Sequence, residues 1–329
     1  MDWIGKKALV TGAGGFIGSH LVERLVDIGT DVIAVVRYNS KGHWGLLQRL
    51  PLHVREKVTI VPCDLSREVL SIKNPENCHA VFHLAAIMDV SPEYVTSKMI
   101  LENNYMCALN ALESVKARTG VFINVSTFEM YGEGNGKPTK ENAPIHISSP
   151  YVASKVAAEN LVAAYSGMKN FKGINLRLFS TYGPRSNVRA IIPTIIRQVL
   201  KDHIVRLGIM DTERDFIYIS DTVEGIIKMA EADLSAYDEA VAVNLGSGAP
   251  VSVAEIAERV GRLIGKEVKI KFDPTRIRVS GDDIPVSHAD TTLLKEMTGW
   301  KPEVDLDRGL KETISWLGSR AQDLDLSLS

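Results

Sequence analysis

Short blocks of consecutive apolar, mostly β-branched residues alternate along this chain with longer stretches whose apolar positions recur every three to four residues. The first block is Lys7-Ala8-Leu9-Val10-Thr11, and it runs directly into Gly12-Ala13-Gly14-Gly15-Phe16-Ile17-Gly18. Ser19 to Ile28 then carries Leu21, Val22, Leu25 and Val26 at helical spacing. Continuous apolar blocks of this length predict strands buried on both faces. Similar blocks at 31–36, 58–61, 80–86, 121–125 and 172–178 predict five more. Helical periodicity fills about 97–117, with Leu101, Tyr105, Ala108, Leu109 and Leu112 on its apolar face, and about 151–168.

This alternation predicts an α/β fold, a Rossmann-like doubly wound parallel sheet. After the sixth strand, Gly183-Pro184 breaks the chain into a smaller C-terminal α+β substrate lobe. A helix is expected over about 191–200, a strand over 214–219 that returns to the nucleotide domain, and another strand over 241–246. Asp221 is expected to cap the helix between those strands, and Ser252 with Glu255 forms a capping box for a later one. Residues 1–178 with about 214–248 are therefore expected to bind a dinucleotide, and about 179–213 with 249–329 to bind a substrate.

A strand, a glycine turn and a helix form a phosphate cradle, because glycines let backbone N–H groups approach a pyrophosphate at a helix N-terminus. The spacing here is GxxGxxG, which assigns Gly12, Gly14, Gly15, Phe16, Ile17 and Gly18 to cofactor binding. An acidic residue at the end of the second strand would select NAD by bonding ribose hydroxyls. This chain has Val36 and Arg37 there, with Ser40 close behind, so Arg37 and Ser40 favour the 2′-phosphate of NADP over NAD. Asp64 and Leu65 end the third strand near the expected adenine, and Leu84, Ala85 and Ala86 let the fourth strand pass close to the cofactor. His83 sits inside that apolar strand and is expected to be a core histidine. Asn104 is a polar residue within the helical pattern.

The fifth strand delivers Ser126, Thr127 and Glu129 to the carboxyl edge of the sheet, where ligands bind in open α/β folds. Tyr151 and Lys155 follow at i and i+4 and share a helix face. A phenol with a pKa of about 10 becomes a base near neutrality only beside positive charge. Lys155 and an oxidised nicotinamide would supply that charge, and Thr127 would share the proton of a substrate alcohol. Between Arg185 and Arg214 lie Arg189, Arg197, Lys201, His203 and Arg206, a basic excess suited to a diphosphate, with Arg189 and Arg214 the expected contacts.

Composition narrows the function little. The 329 residues are 45% hydrophobic and 24% charged, with a net charge of −2. That balance gives no reason to expect nucleic acid or an anionic membrane as partner. No apolar run approaches the roughly 20 residues that span a bilayer. Cys63, Cys78 and Cys107 form no CxxC pair or metal-ligand cluster, so no metal is expected and a cytoplasmic location is.

Thr11–Gly18, His83–Ala86, Asn104, Ser126–Gly132, Tyr151–Lys155, Arg177–Arg185, Arg214–Asp221 and Thr298–Pro302 together make the chain resemble an extended short-chain dehydrogenase/reductase of the NAD-dependent epimerase/dehydratase type. Within that family Ser-Thr-x-Glu-x-Tyr-Gly is similar to nucleotide-sugar 4,6-dehydratases and some decarboxylases. Arg37–Ser40 with Trp44-Gly45, and Tyr182–Arg185 through Arg189–Thr194, resemble the dehydratases of legionaminic-type pathways; the Val36-Arg37 junction resembles GDP-mannose 4,6-dehydratase. The resemblance implies NADP or NAD as cofactor, Asn104 as a cofactor-site residue, and a nucleotide-diphosphate sugar held by Met88, Ser126, Ser180, Arg189, Arg214 and Arg278, with Arg276 and Arg278, followed by Asp282-Asp283-Ile284-Pro285, as late diphosphate and ribose contacts. It implies oxidation at C4 by Tyr151, Lys155 and Thr127, then removal of the C5 proton by Glu129 and loss of water to a 4-keto-6-deoxy sugar. It also implies a homodimer through the helices near 97–117 and 151–168. Three positions depart from the pattern: Phe128 replaces the usual acidic or hydroxyl residue, Ser180 the usual asparagine and Cys107 the usual glycine. The expected function is a 4,6-dehydratase, with a 4-epimerase and then a uronate decarboxylase as alternatives. A regulator that binds cofactor without turnover would not need the poised Tyr151, Lys155 and Thr127.

Overall fold

Residue order along β1 decides how the layers form: Ala8 and Val10 face one apolar cluster while Leu9 faces another. A computed structural model describes residues 3–70, 78–88, 95–114, 120–134, 136–169, 171–202, 204–276 and 284–319. Arg278 and the Asp282-Asp283 pair lie outside the described residues.

In chain order the first half contains β1 (Lys7–Thr11), α1 (Phe16–Asp27), β2 (Asp31–Val36), α2 (Leu52–Arg55), β3 (Val58–Pro62), β4 (Cys78–His83), α3 (Ser97–Ser114) and β5 (Val121–Thr127). A four-residue 3-10 turn (Phe128–Tyr131) leads to α4 (Pro150–Lys169) and β6 (Lys172–Leu178). Then come β7 (Ser180–Tyr182), α5 (Ile191–Asp202), β8 (Ile204–Leu207), β9 (Glu213–Tyr218), α6 (Ile219–Ala230) and β10 (Val241–Leu245). The last elements are β11 (Pro250–Ser252), α7 (Val253–Ile264), β12 (Lys269–Phe272), α8 (Thr292–Thr298) and α9 (Leu306–Ser319).

Among the described residues seven strands form one sheet in the order β10-β6-β5-β4-β1-β2-β3, every neighbouring pair parallel. Helix α1 contributes Leu21, Val22, Leu25 and Val26 to the cluster on one face, and α6 adds Val223, Ile226 and Ile227. On the other face α3 and α4 pack with Cys107, Ala111, Leu112 and Val162. This is the expected Rossmann-like α/β architecture, with the chain reversing direction across the sheet between β1 and β4. Ligand crevices in such sheets open at that switch point, beyond the carboxyl ends of the strands.

Strand β9 does not enter this sheet. It pairs with β7 and β11 in a three-stranded sheet, and β10 is the late strand that rejoins the large one. Strands β8 and β12 form a separate parallel pair. Asp221 is not the cap of α6: Tyr218 holds the N-cap position, and the buried Asp221 carboxylate accepts from Val304 N at 3.0 Å, tying α6 to the segment before α9. Ser252 does cap α7, accepting from Glu255 N at 3.0 Å, but the Glu255 carboxylate turns to Arg259. No described helix is long and apolar enough to cross a membrane.

Candidate active site

Strand β1 ends at Thr11, and its hydroxyl organises the next strand. Leu84 N and Ala85 N both donate to Thr11 Oγ1 at 3.2 Å, so its own proton goes to His83 Nδ1 at 2.9 Å. Burial and then the charge of Lys155 hold His83 down to about 3, which keeps it a neutral acceptor at Nδ1. The histidine is structural, as its apolar strand implies. Thr11 Oγ1 fixes the backbone of Leu84 and Ala85 directly over Gly12, where a Cβ would sit 2.8 Å from Ala85 N.

Gly14 faces a second close approach. A Cβ there would be 2.6 Å from Trp44 O, and Leu46 N donates to Gly14 O at 2.9 Å. The loop after β2 thus folds over the glycine turn. Helix α1 begins behind Gly15 with no side-chain cap, leaving its N-terminal N–H groups for an anion. A cavity of about 430 Å³ adjoins this turn, with Val36, Arg37, Asp64, Leu65 and Ala85 among its walls. Gly-lined backbone, an uncapped helix and this cavity fit a dinucleotide. His43 and Asn103, which no sequence pattern marked, also line it, as does Trp44, which entered only through the family resemblance. A glycine after tryptophan, Gly45 with φ +65°, was the available signal.

Two residues expected at the cofactor are elsewhere. Ser40 is exposed and off the cavity wall, because Asn39 folds its loop by accepting from Lys41 N and His43 N. Asn104 is buried behind the site. It accepts from Ile87 N at 2.7 Å and donates to Ile87 O and to Ser154 Oγ, clamping the chain after β4 against α4.

A second, larger cavity of about 660 Å³ is continuous with Gly12, Phe16, Ile17 and Gly18 and collects the predicted chemistry. Ser126, Thr127, Glu129, Tyr151 and Lys155 all reach its wall. Burial, then the charge of Glu129, holds the Tyr151 phenol well above its ordinary value, while its hydrogen bond with Thr127 works in the opposite direction. The phenol therefore stays protonated until positive charge arrives with a ligand. Lys155 is buried, donates to Val125 O at 2.8 Å and stands 5.9 Å from the Tyr151 ring centroid. Burial pulls its pKa down to about 8, opposed by Glu159. Ser126 Oγ is buried on this wall without a hydrogen-bond partner among the described residues, an orphan that a ligand would satisfy.

Phe128 also lines the cavity, stacked on Phe179 with centroids 4.9 Å apart and planes 18° apart. Among the described residues, Arg189, Arg206, Arg214 and Arg276 join Lys155 as cations on this wall. Arg189 and Arg214 are the expected contacts, Arg276 is one the resemblance implies, and Arg206 belongs to the basic stretch; the β8–β12 pairing and the turn after β12 bring Arg206 and Arg276 to this wall. Arg214 Nη1 also donates to the carbonyls of Glu213 and Ile284. Met88 and Ser180 reach the wall as expected.

Comparison with known proteins agrees with this arrangement. The family model described as GDP-mannose 4,6 dehydratase matches residues 9–313. A UDP-N-acetyl-alpha-D-glucosaminuronate decarboxylase of Bacillus cytotoxicus is 32% identical, covering 94% of this chain and 97% of its own. The UDP-N-acetylglucosamine 4-epimerase of Methanobrevibacter ruminantium M1, solved with UDP-N-acetylmuramic acid, superposes with a TM-score of 0.83 at 27% identity, over 96% of this chain and 99% of that one. The UDP-glucuronic acid 4-epimerase of Bacillus cereus, solved with UDP-glucuronic acid and NAD, does so with a TM-score of 0.79 at 25% identity, over 95% and 99%. The chain belongs to the GDP-mannose 4,6-dehydratase family of extended short-chain dehydrogenase/reductases, enzymes that modify the sugar of a nucleotide sugar.

Proposed function

We propose that this enzyme works through a 4-ketone of a UDP-sugar and that the ketone loses carbon dioxide, making the protein a UDP-hexuronate decarboxylase. The observation that carries this reading is Phe128. Loss of water across C5 and C6 needs a proton donor for the departing hydroxyl beside the base. The residue between Thr127 and Glu129 is a phenyl ring stacked on Phe179, which cannot donate. Carbon dioxide leaves a β-keto acid without a proton donor, and an apolar wall disfavours the substrate carboxylate relative to the departing neutral gas. One acid is then needed to return a proton to C5, and among the described residues Glu129 is the carboxyl group on the wall. The decarboxylase relative supports the same choice.

Bound NAD(P) would supply a hydride acceptor and donor. Tyr151, hydrogen-bonded with Thr127, takes the proton of the C4 hydroxyl, and buried Lys155 favours the phenolate. Ser126 Oγ bonds the sugar, and Arg189, Arg206, Arg214 and Arg276 balance the diphosphate. Residues 1–178 with α6 and β10 serve the cofactor and the remainder the sugar nucleotide, a division supported by β10 lying in the large sheet and by Arg189, Arg206 and Arg276 lying outside it; β9 and Arg214, expected in the cofactor part, go with the substrate part because β9 pairs with β7 and β11. Arg37 on the cavity wall supports NADP, whereas the Bacillus cereus epimerase holds NAD; titration with both dinucleotides separates them.

Epimerisation at C4 is the second reading, favoured by the overall likeness to two 4-epimerases and by a cavity roomy enough for a sugar to turn. The test is incubation with UDP-hexuronates and with UDP-, GDP- and dTDP-hexoses, followed by mass and NMR. Decarboxylation predicts loss of carbon dioxide from a uronate. Unchanged mass with altered ring couplings would assign epimerisation, and loss of one water would restore the dehydratase.

A further inference from the structure

Glu129 sits on a single 3-10 turn of four residues, so its place in the site follows from what holds the two ends of that turn. Thr127 Oγ1 accepts from Glu129 N at 3.2 Å at the near end, and His146 N donates to Met130 O at 2.7 Å. The far end is held by Tyr131, which does not reach either cavity.

Tyr131 Oη donates to Asn244 Oδ1 at 2.7 Å and accepts from Arg177 Nη1 at 2.9 Å. Burial pushes this phenol up to about 12, so it keeps both roles through neutral pH. The same Arg177 grips Glu159 with two nitrogens, at 3.1 and 2.8 Å, and donates to Glu141 O at 2.9 Å. Glu159 lies one turn beyond Lys155 on α4. One buried guanidinium therefore joins the turn that carries Glu129 to the helix that carries Tyr151 and Lys155.

We propose that Tyr131 and Arg177 are positioning residues that set the Glu129 carboxylate in register with Tyr151 and Lys155, so that the C4 and C5 steps occur on one bound sugar. The inference rests on Glu129 acting at C5. Tyr131→Phe removes only the hydroxyl and keeps the ring 5.1 Å from the Arg177 guanidinium. Single-turnover mixing with a UDP-hexuronate should show reduced nicotinamide forming at the wild-type rate. Product should form about tenfold more slowly, the scale of one charge-assisted hydrogen bond, so the reduced cofactor accumulates. Arg177→Lys, which keeps a charge beside Glu159 but cannot also reach Tyr131, should give the same split and serves if Tyr131→Phe does not fold. Glu129→Gln run in parallel separates the failures. If that variant behaves as wild type, the role of Glu129 falls and this inference with it. If it stalls with the cofactor reduced while Tyr131→Phe does not, or if Tyr131→Phe slows both steps alike, the positioning role alone is overturned.

Discussion

Lys155 shows how the site trades stability for reactivity. Its pKa falls from an ordinary 10.5 to about 8 through burial. Between those values the unfolded chain binds a proton that the folded chain does not, so stability rises with pH across that window. The cost is complete below pH 8 and vanishes above 10.5. Lys155→Met should be inactive yet melt a few degrees higher at pH 7, with the difference closing as pH approaches 10.5 in thermal scans. Glu129→Gln should lower product formation by a factor of about 100 or more, the scale of a general acid or base, while leaving nicotinamide reduction measurable. The spacing of Tyr151 and Lys155 was legible because i and i+4 share a helix face whatever surrounds them. Phe128 was legible as a departure from the family, but its stacking on Phe179 was not, because those residues meet only when β5 and β6 lie side by side. Asn104 was misplaced for a related reason: a polar residue in an apolar helix pattern signals a partner, not which one.

At the level of elements, one ion pair does much of the joining. Arg177 and Glu159 have side chains 6% and 9% exposed, so removing one partner leaves a buried charge. Glu159→Ala should therefore lower unfolding free energy by about 3–5 kcal/mol, readable by denaturant titration. The strands and helices of the large sheet were legible because apolar blocks and 3.6-residue periods are local properties. The membership of β9 was not, since a short β-branched strand carries no mark of which sheet it joins. Asp221 was mistaken for a cap on local grounds; Val304, its actual partner, lies in a segment that no local pattern connects to it. Gly14→Ala tests the glycine turn as an element. A Cβ 2.6 Å from Trp44 O would force the loop after β2 away, and dinucleotide affinity should fall at least tenfold by calorimetry.

For the whole molecule, α3 presents two apolar stripes. Ala108 and Leu112 are buried against the sheet, whereas Leu101 and Tyr105, assigned to that same face by periodicity, stay 39% and 40% exposed. Met99 and Met168 add apolar surface on α3 and α4. We propose that these helices pair with a second copy, and Tyr105→Asp should then shift sedimentation from dimer to monomer.

The late return of β10 also governs how the molecule is made. Six strands are complete once Leu178 has been synthesised, but β6 then ends the sheet with a row of unpaired backbone groups and an apolar surface. Roughly sixty further residues pass before Val241–Leu245 closes that edge. A nascent or truncated chain stopping short of Val241 leaves β6, which is buried from Gly173 to Leu178 in the finished fold, as the edge strand open to its neighbours. Such chains should associate, and a chaperone that shields one strand edge should act between those two points of synthesis.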